Sequence, residues 1–167
     1  MTNAFRRAAL AGSFLAAVSA APAFAADASS TLSVSANVTS NCAVSTTPLA
    51  FGNVDVTTGA AVNGTGGLSV TCTNGTAWSA AADQGAGTGA DLVTRKLANG
   101  SNLLDYRLYI DSNRSEVWGD GADSTSTFID TGTGSAQSKT IYGRILAGQN
   151  GVTSGAYADT VTVTVTY

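Results

Sequence analysis

The sequence predicts an all-β fold, a sandwich of immunoglobulin-like type, on three observations. Past residue 25 the chain is dominated by Thr, Val, Gly, Ser and Ala, with few Leu, Glu or Lys. That composition suits pleated strands and turns and starves helices, so almost no helix is expected. Apolar and polar residues alternate with period two in several runs, which puts one face of each run in a core and the other in water. The two cysteines, Cys42 and Cys72, stand on an early and a later strand candidate. Short strands at this spacing, joined by turn signals and a disulfide, are the pattern of such a sandwich.

The first element is an export signal. Arg6 and Arg7 supply a positive start, Ala8 to Ala21 an apolar middle, and Ala23-Phe24-Ala25 a small-residue cleavage signature. The apolar stretch is short of the ~20 residues that a membrane span needs, so cleavage after Ala25 is expected. Residues 1–25 are therefore assigned to a signal peptide, 26–40 to an N-terminal segment and 41–167 to one domain. Nothing beyond residue 25 is long or apolar enough to cross a membrane as a helix. The mature 142 residues are enough for one core and short for two.

In the N-terminal segment Leu32, Val34, Ala36 and Val38 alternate as one face of a strand. Leu68, Val70 and Cys72 do the same, and so do Leu104, Tyr106, Leu108 and Ile110. The clearest run is the last, residues 160–167, where Val161, Val163, Val165 and Tyr167 share one face and threonines the other. Asn63-Gly64, Asn74-Gly75, Asn99-Gly100 and Asn150-Gly151 read as tight reversals, because Asn-Gly readily supplies positive φ. An exported chain with two thiols meets an oxidising compartment, so Cys42 and Cys72 are expected to pair. Two thiols and no histidine fall short of the four ligands that zinc prefers.

Charge and residue types exclude several functions. Removal of residues 1–25 takes away two arginines and no acid, so the net charge moves from -3 to -5, six basic residues against eleven acidic. Nucleic acid is not an expected partner of so acidic a chain. The basic residues are scattered apart from Arg95-Lys96, which reads as a solvated loop. No histidine is present, which removes the commonest general base and metal ligand, and no catalytic residue, metal site or cofactor is assigned. Asp105, Asp111, Glu116, Asp120 and Asp123 lie close in sequence, but acids in such segments ordinarily serve turns and solubility. The stretches 111–116 and 120–123 lack the full spacing of a calcium loop.

Three stretches together resemble the spore coat U family, which includes major subunits of archaic chaperone-usher pili. They are Asn41-Cys42 through Phe51-Gly52; Leu68 through Thr76 around Cys72; and a C-terminal set. That set comprises Tyr106 to Asp111, Val117-Trp118-Gly119-Asp120-Gly121, Ile141-Tyr142-Gly143-Arg144 and Gly155 to Tyr167. The resemblance implies a sandwich that lacks its last strand and takes it in trans. It also implies a periplasmic chaperone that first lends a strand, an outer-membrane usher, and replacement of that strand by the N-terminal segment of the next subunit, another copy or a related one. Such a protein passes through the periplasm to the cell surface, is not an enzyme, and serves adhesion and biofilm formation.

The terminal run fits this expectation, since Tyr167 lies inside a strongly amphipathic strand whose outer edge has nothing left to pair, an aggregation hazard that something must cover. Tyr157, Val161, Val163, Val165 and Tyr167 are expected to flank an incoming strand, and Leu32, Val34, Ala36 and Val38 to be the anchors that enter. The same four could instead form the chain's own first strand. Two other classes compete: an eight-stranded outer-membrane barrel, whose strands also end in a terminal aromatic, and an autonomous sugar-binding sandwich that would stack Trp78 or Trp118 on a sugar ring.

Overall fold

The computed structural model describes residues 24–167, and these contain strands and no helix. They belong to two units, one ending at Ala36 and the other comprising Asn37–Tyr167. In the first unit residues 24–36 form no strand and are exposed. The expected signal peptide lies, but for its last two residues, outside the described residues.

The second unit has eight strands: β1 Cys42–Ala50, β2 Val62–Cys72, β3 Ala77–Ala82, β4 Arg95–Asn99, β5 Asn102–Tyr109, β6 Phe128–Thr131, β7 Gln137–Ile145 and β8 Val163–Thr166. They form a five-stranded sheet in the order β1-β2-β7-β5-β4 and a three-stranded sheet in the order β6-β3-β8, and every strand pairing is antiparallel. The strand number matches the barrel reading, but two sheets with free edges do not close, and that reading is set aside.

Alternation dictates which side chains meet between the sheets. On β2, Leu68, Val70 and Cys72 point inward, and on β5, Leu104, Tyr106 and Leu108 do; β7 contributes Ile141 and Ile145, and β3 contributes Trp78, Ala80 and Ala82. Trp118 and Phe128 meet edge to face with centroids 5.2 Å apart. Both tryptophans are buried, Trp78 donating to Gln137 Oε1 at 3.2 Å and Trp118 to the Ala80 carbonyl at 2.9 Å. Neither presents a ring to solvent, so stacking on a sugar is excluded for both.

The turn signals divide. Gly75 and Gly100 take φ of +81° and +59° at reversals, as the Asn-Gly pairs imply. Asn63-Gly64 does not turn: it lies within β2, where Asn63 pairs with Arg144 and Gly64 with Gly143. Those glycines serve close approach rather than positive φ. A Cβ on Gly143 would come within 2.8 and 2.9 Å of the Leu49 and Phe51 side chains, so the bare backbone lets both residues lie against the sheet. The final strand is also shorter than its sequence pattern, since residues 160–162 fall outside the ladder assigned to β8. The segment around Leu32 to Val38, alternating though it is, forms no strand.

Cys42 and Cys72 are bonded, across directly paired positions of β1 and β2. The bridge thus ties an edge strand to its neighbour within one sheet rather than joining the two sheets. It closes a loop with a sequence separation of 30, for which the restriction of the unfolded chain is worth about 3 to 4 kcal/mol. Replacing both cysteines by serine is expected to lower stability by about that amount, measured as a lower urea unfolding midpoint with a somewhat steeper slope, because the unfolded chain is then less compact.

Candidate functional site

The site is a flank of the sandwich where each sheet ends without a neighbour. In the larger sheet β1 is the edge. Its residues Cys42, Val44 and Thr46 pair with Cys72, Val70 and Leu68, so their side chains lie on the inward face. Yet Val44 is 45% exposed and Thr46 is exposed as well. An inward face open to solvent means that no layer stands opposite it among the described residues. Pro48, which has no N–H to give a ladder, accompanies a register shift between Thr47 and Ala50, a position suited to an edge strand.

In the smaller sheet β8 is the edge. Val163 and Val165 pair with Ala82 and Ala80, which are buried, so these valines and Val161 point inward and pack half-buried against the core. The Asp83 N–H donates to the Thr162 carbonyl, which places the backbone groups of Thr162, Thr164 and Thr166 toward β3. Backbone polarity alternates along a strand, so the N–H and C=O groups of Val161, Val163, Val165 and Tyr167 face the other way, along the open edge. Tyr167 is 56% exposed, and its hydroxyl meets Asn41 Oδ1 at 3.4 Å. That contact joins the residue after β8 to the residue before β1, so the two open edges come together at this end.

Toward the other end lies a cleft of about 960 Å³, walled by Leu49, Phe51, Val54, Val56, Val152 and Tyr157. Tyr157 is held there by its hydroxyl, which donates to the Thr153 carbonyl at 2.8 Å. Of the five C-terminal residues singled out from sequence, Val161, Val163 and Val165 thus share one inward row. Tyr157 belongs to the cleft, and Tyr167 lies at the opposite end. Sequence reasoning missed Val44 and the cleft residues of the β1–β2 connection; the alternation of Leu49 with Phe51 and of Val54 with Val56 was the available signal. Among the described residues the four N-terminal residues have no strand partner: Leu32, Val34 and Val38 are 87%, 83% and 82% exposed, and Ala36 is exposed too.

Residues 28–164 match the Spore Coat Protein U domain. The chain belongs to that family. It is 34% identical over 165 residues to Protein U of Myxococcus xanthus, an alignment covering 90% of each chain. It is also similar in fold to a chain in the crystal structure of the CsuC–CsuE chaperone–tip adhesion subunit pre-assembly complex from archaic chaperone-usher Csu pili of Acinetobacter baumannii. The TM-score is 0.58 at 18% identity, over 78% of this chain. The match spans 40% of that solved chain.

In this spore coat U domain the approach to β8 is held by a polar cluster that sequence reasoning misjudged. Arg95, expected in a solvated loop, is fully buried at the start of β4. Its guanidinium donates to the carbonyls of Asp83 at 2.8 Å, Leu92 at 3.1 Å, Ala82 at 3.3 Å and Trp118 at 2.9 Å. Burial pulls its pKa below the usual arginine value, opposed by the nearby Tyr106, Asp83, Asp159 and Asp91. Beside it the Tyr106 hydroxyl donates to Asp159 Oδ2 at 2.6 Å, and burial first, then that bond, push its pKa up. Asp159 Oδ1 accepts from the N–H groups of Ala86 and Thr160, both at 2.8 Å. Asp83 Oδ1 accepts from the N–H groups of Thr162 and Gly85, both at 2.9 Å. The segment leading into β8 is therefore pinned at residues 159, 160 and 162. The acids of the 111–123 stretch do turn chemistry, Asp111 taking the N–H groups of Ser115 and Glu116 and Asp120 that of Ala122.

Burial raises the Asp83 pKa, but the hydrogen bonds from Thr162 and Gly85 and the charge of Arg95 outweigh it, so the net shift is downward. A carboxylate depressed in the native state binds fewer protons there than in the unfolded chain. Its contribution is present above the unfolded value of about 4 and is lost as pH falls through the lower native value. Melting temperature is expected to drop on acidification below about pH 4, and the Asp83→Asn variant to show a flatter profile. Tyr106→Phe removes a charge-assisted bond to a half-exposed acid and is expected to cost about 1.5 kcal/mol in denaturant unfolding.

Proposed function

We propose that this protein is an exported, non-enzymatic structural subunit of a surface assembly, a pilus or a coat layer, whose sandwich is completed by a strand from another molecule. The observation that carries the reading is the unpaired outer edge of β8 beside the exposed inward face of β1. An incoming extended segment would hydrogen-bond along Val161, Val163, Val165 and Tyr167 and place alternate side chains over the core. The fold likeness to a chain of a chaperone–subunit pre-assembly complex supports a periplasmic chaperone as the first occupant. Membership of the spore coat U family supports the cell surface as the destination.

The later occupant is the 26–40 segment of a neighbouring copy, reached through an outer-membrane usher after the signal peptide 1–25 has been removed. Leu32, Val34, Ala36 and Val38 have the spacing of anchors, and none is covered in the isolated chain. Burying Leu32, Val34 and Val38 would contribute roughly 1.5 to 3 kcal/mol each before ordering costs. The finished fibre or layer would serve adhesion and biofilm formation.

Two changes separate the two halves of this reading. A mature chain starting at Asn41 should still co-purify with its chaperone, since its edge is intact, and should fail to polymerise; fibres built from it would overturn the donor assignment. Val163→Asp sets an unpaired charge on the half-buried row, so chaperone binding should be lost. Normal co-purification of that variant would show that the β8 edge is not the binding edge.

A further inference from the structure

The outer face of the five-stranded sheet holds a second feature, independent of the open flank. Of the six basic residues beyond residue 25, Arg95 is buried among carbonyls, Lys96 is paired with Asp105 at 2.7 Å and Lys139 with Asp130 at 2.7 Å. The other three, Arg107, Arg114 and Arg144, form no ion pair among the described residues. Arg107 on β5 and Arg144 on β7 are direct cross-strand partners. Each falls between inward-facing neighbours, Tyr106 and Leu108 for the first and Gly143 and Ile145 for the second, so both side chains project from the outer face. Arg114 leans over the ring of Tyr142 at 5.6 Å, and Tyr142 stands two residues before Arg144 on the same face of β7.

Like charges set directly opposite on a sheet destabilise it, and Asp105, two residues from Arg107 on the same face of β5, is itself paired with Lys96. Arg144 Nε donates to Asn63 Oδ1 at 3.0 Å, a neutral acceptor, and Arg114 donates to the Gly143 and Ser112 carbonyls. Arg107 Nε is buried with no hydrogen-bond partner among the described residues. Apart from the buried Arg95, all the cations beyond residue 25 that lack an ion-pair partner among the described residues therefore converge on one face. Arg114 also sits at φ +58°, a conformation that residues other than glycine rarely adopt.

We propose that this face binds the carboxylates of an acidic polysaccharide, with Arg107 and Arg144 sharing one carboxylate between them and Arg114 extending the site. Carboxylate is the planar acceptor that guanidinium groups match with paired hydrogen bonds. The rest of the face points to carbohydrate rather than to protein. Its exposed positions on β2 and β7 are Asn63, Thr65, Thr71, Ser138 and Thr140, all amides or hydroxyls. Protein interfaces are built around an apolar core, which this stretch lacks. Sugar hydroxyls would find donors and acceptors along it.

The test uses the mature full-length protein, immobilised, with polygalacturonate as the probe and neutral dextran and single-stranded DNA as comparisons. Polygalacturonate should bind, the signal should weaken as salt is raised, and dextran should not bind. The Arg107→Gln/Arg144→Gln double variant should bind about tenfold more weakly or worse, while Lys139→Gln, whose lysine points to the other face of the sheet, should be unchanged. Because the double variant removes a repulsion, its melting temperature should be equal to or above that of the parent, so weaker binding would not reflect unfolding. Undiminished binding by the double variant would overturn the site, and a lowered melting temperature would assign the arginines a structural role instead. DNA binding as tight as polygalacturonate binding would reduce the face to a general polyanion surface and overturn the proposed ligand.

Discussion

An apolar inner surface bounded by two unpaired strand edges is the constraint from which the rest of this structure follows. Among the described residues β1 and β8 each have a neighbour on one side only, and Tyr167 meets Asn41 at one end of the two strands. With no layer above it, the inward row of β1 stays wet at Val44 and Thr46, and the inward valines next to and on β8 stay half covered. Unsatisfied backbone groups alongside apolar side chains are what an extended segment can pair with, so the geometry that leaves the sandwich open is also the one the proposed strand addition would use.

The approach to that edge is held by the polar cluster around Arg95. A guanidinium that donates to carbonyls at residues 82, 83, 92 and 118 fastens β3, the β3–β4 connection and the stretch after β5 to the start of β4. Asp83 and Asp159 then hold the chain at residues 159, 160 and 162, one turnless stretch before β8. β8 itself pairs only with β3 and is four residues long. The anchoring therefore comes from side chains placed upstream of the edge, which leaves the edge itself free to pair.

Much of this was legible in sequence because alternation is a local signal. The threonine–valine run before Tyr167 named the inward row correctly, and the buried face of β5 was visible in Leu104, Tyr106 and Leu108. The failures have a common origin in partners distant along the chain. Asn63-Gly64 has the chemistry of a turn, and only the approach of Leu49 and Phe51 to Gly64 and Gly143 explains why those glycines lie inside a ladder. Arg95 beside Lys96 has the look of solvent-exposed charge; the carbonyls that bury it come from residues up to 23 positions away. Leu32 to Val38 is a different case: it alternates as well as any strand in the chain but forms none among the described residues, as expected if its partner lies in another molecule and not if it were the chain's own first strand.

The pairing of β3 with β8 joins residues 79–82 to residues 163–166, and the segment before β8 is also bridged to the far edge of the other sheet through Ala98 and Ala158. A chain emerging N-terminus first cannot form the β3–β8 pairing until roughly eighty further residues have followed β3, nor the Ala98–Ala158 bridge until roughly sixty have followed Ala98. Until then β3 is bordered by β6 at most, and its buried alanines have no cover on the side that β8 will occupy. Non-local pairing of this kind is slow, so the molecule spends its most vulnerable interval newly delivered and half assembled, before its own last ribbon has arrived.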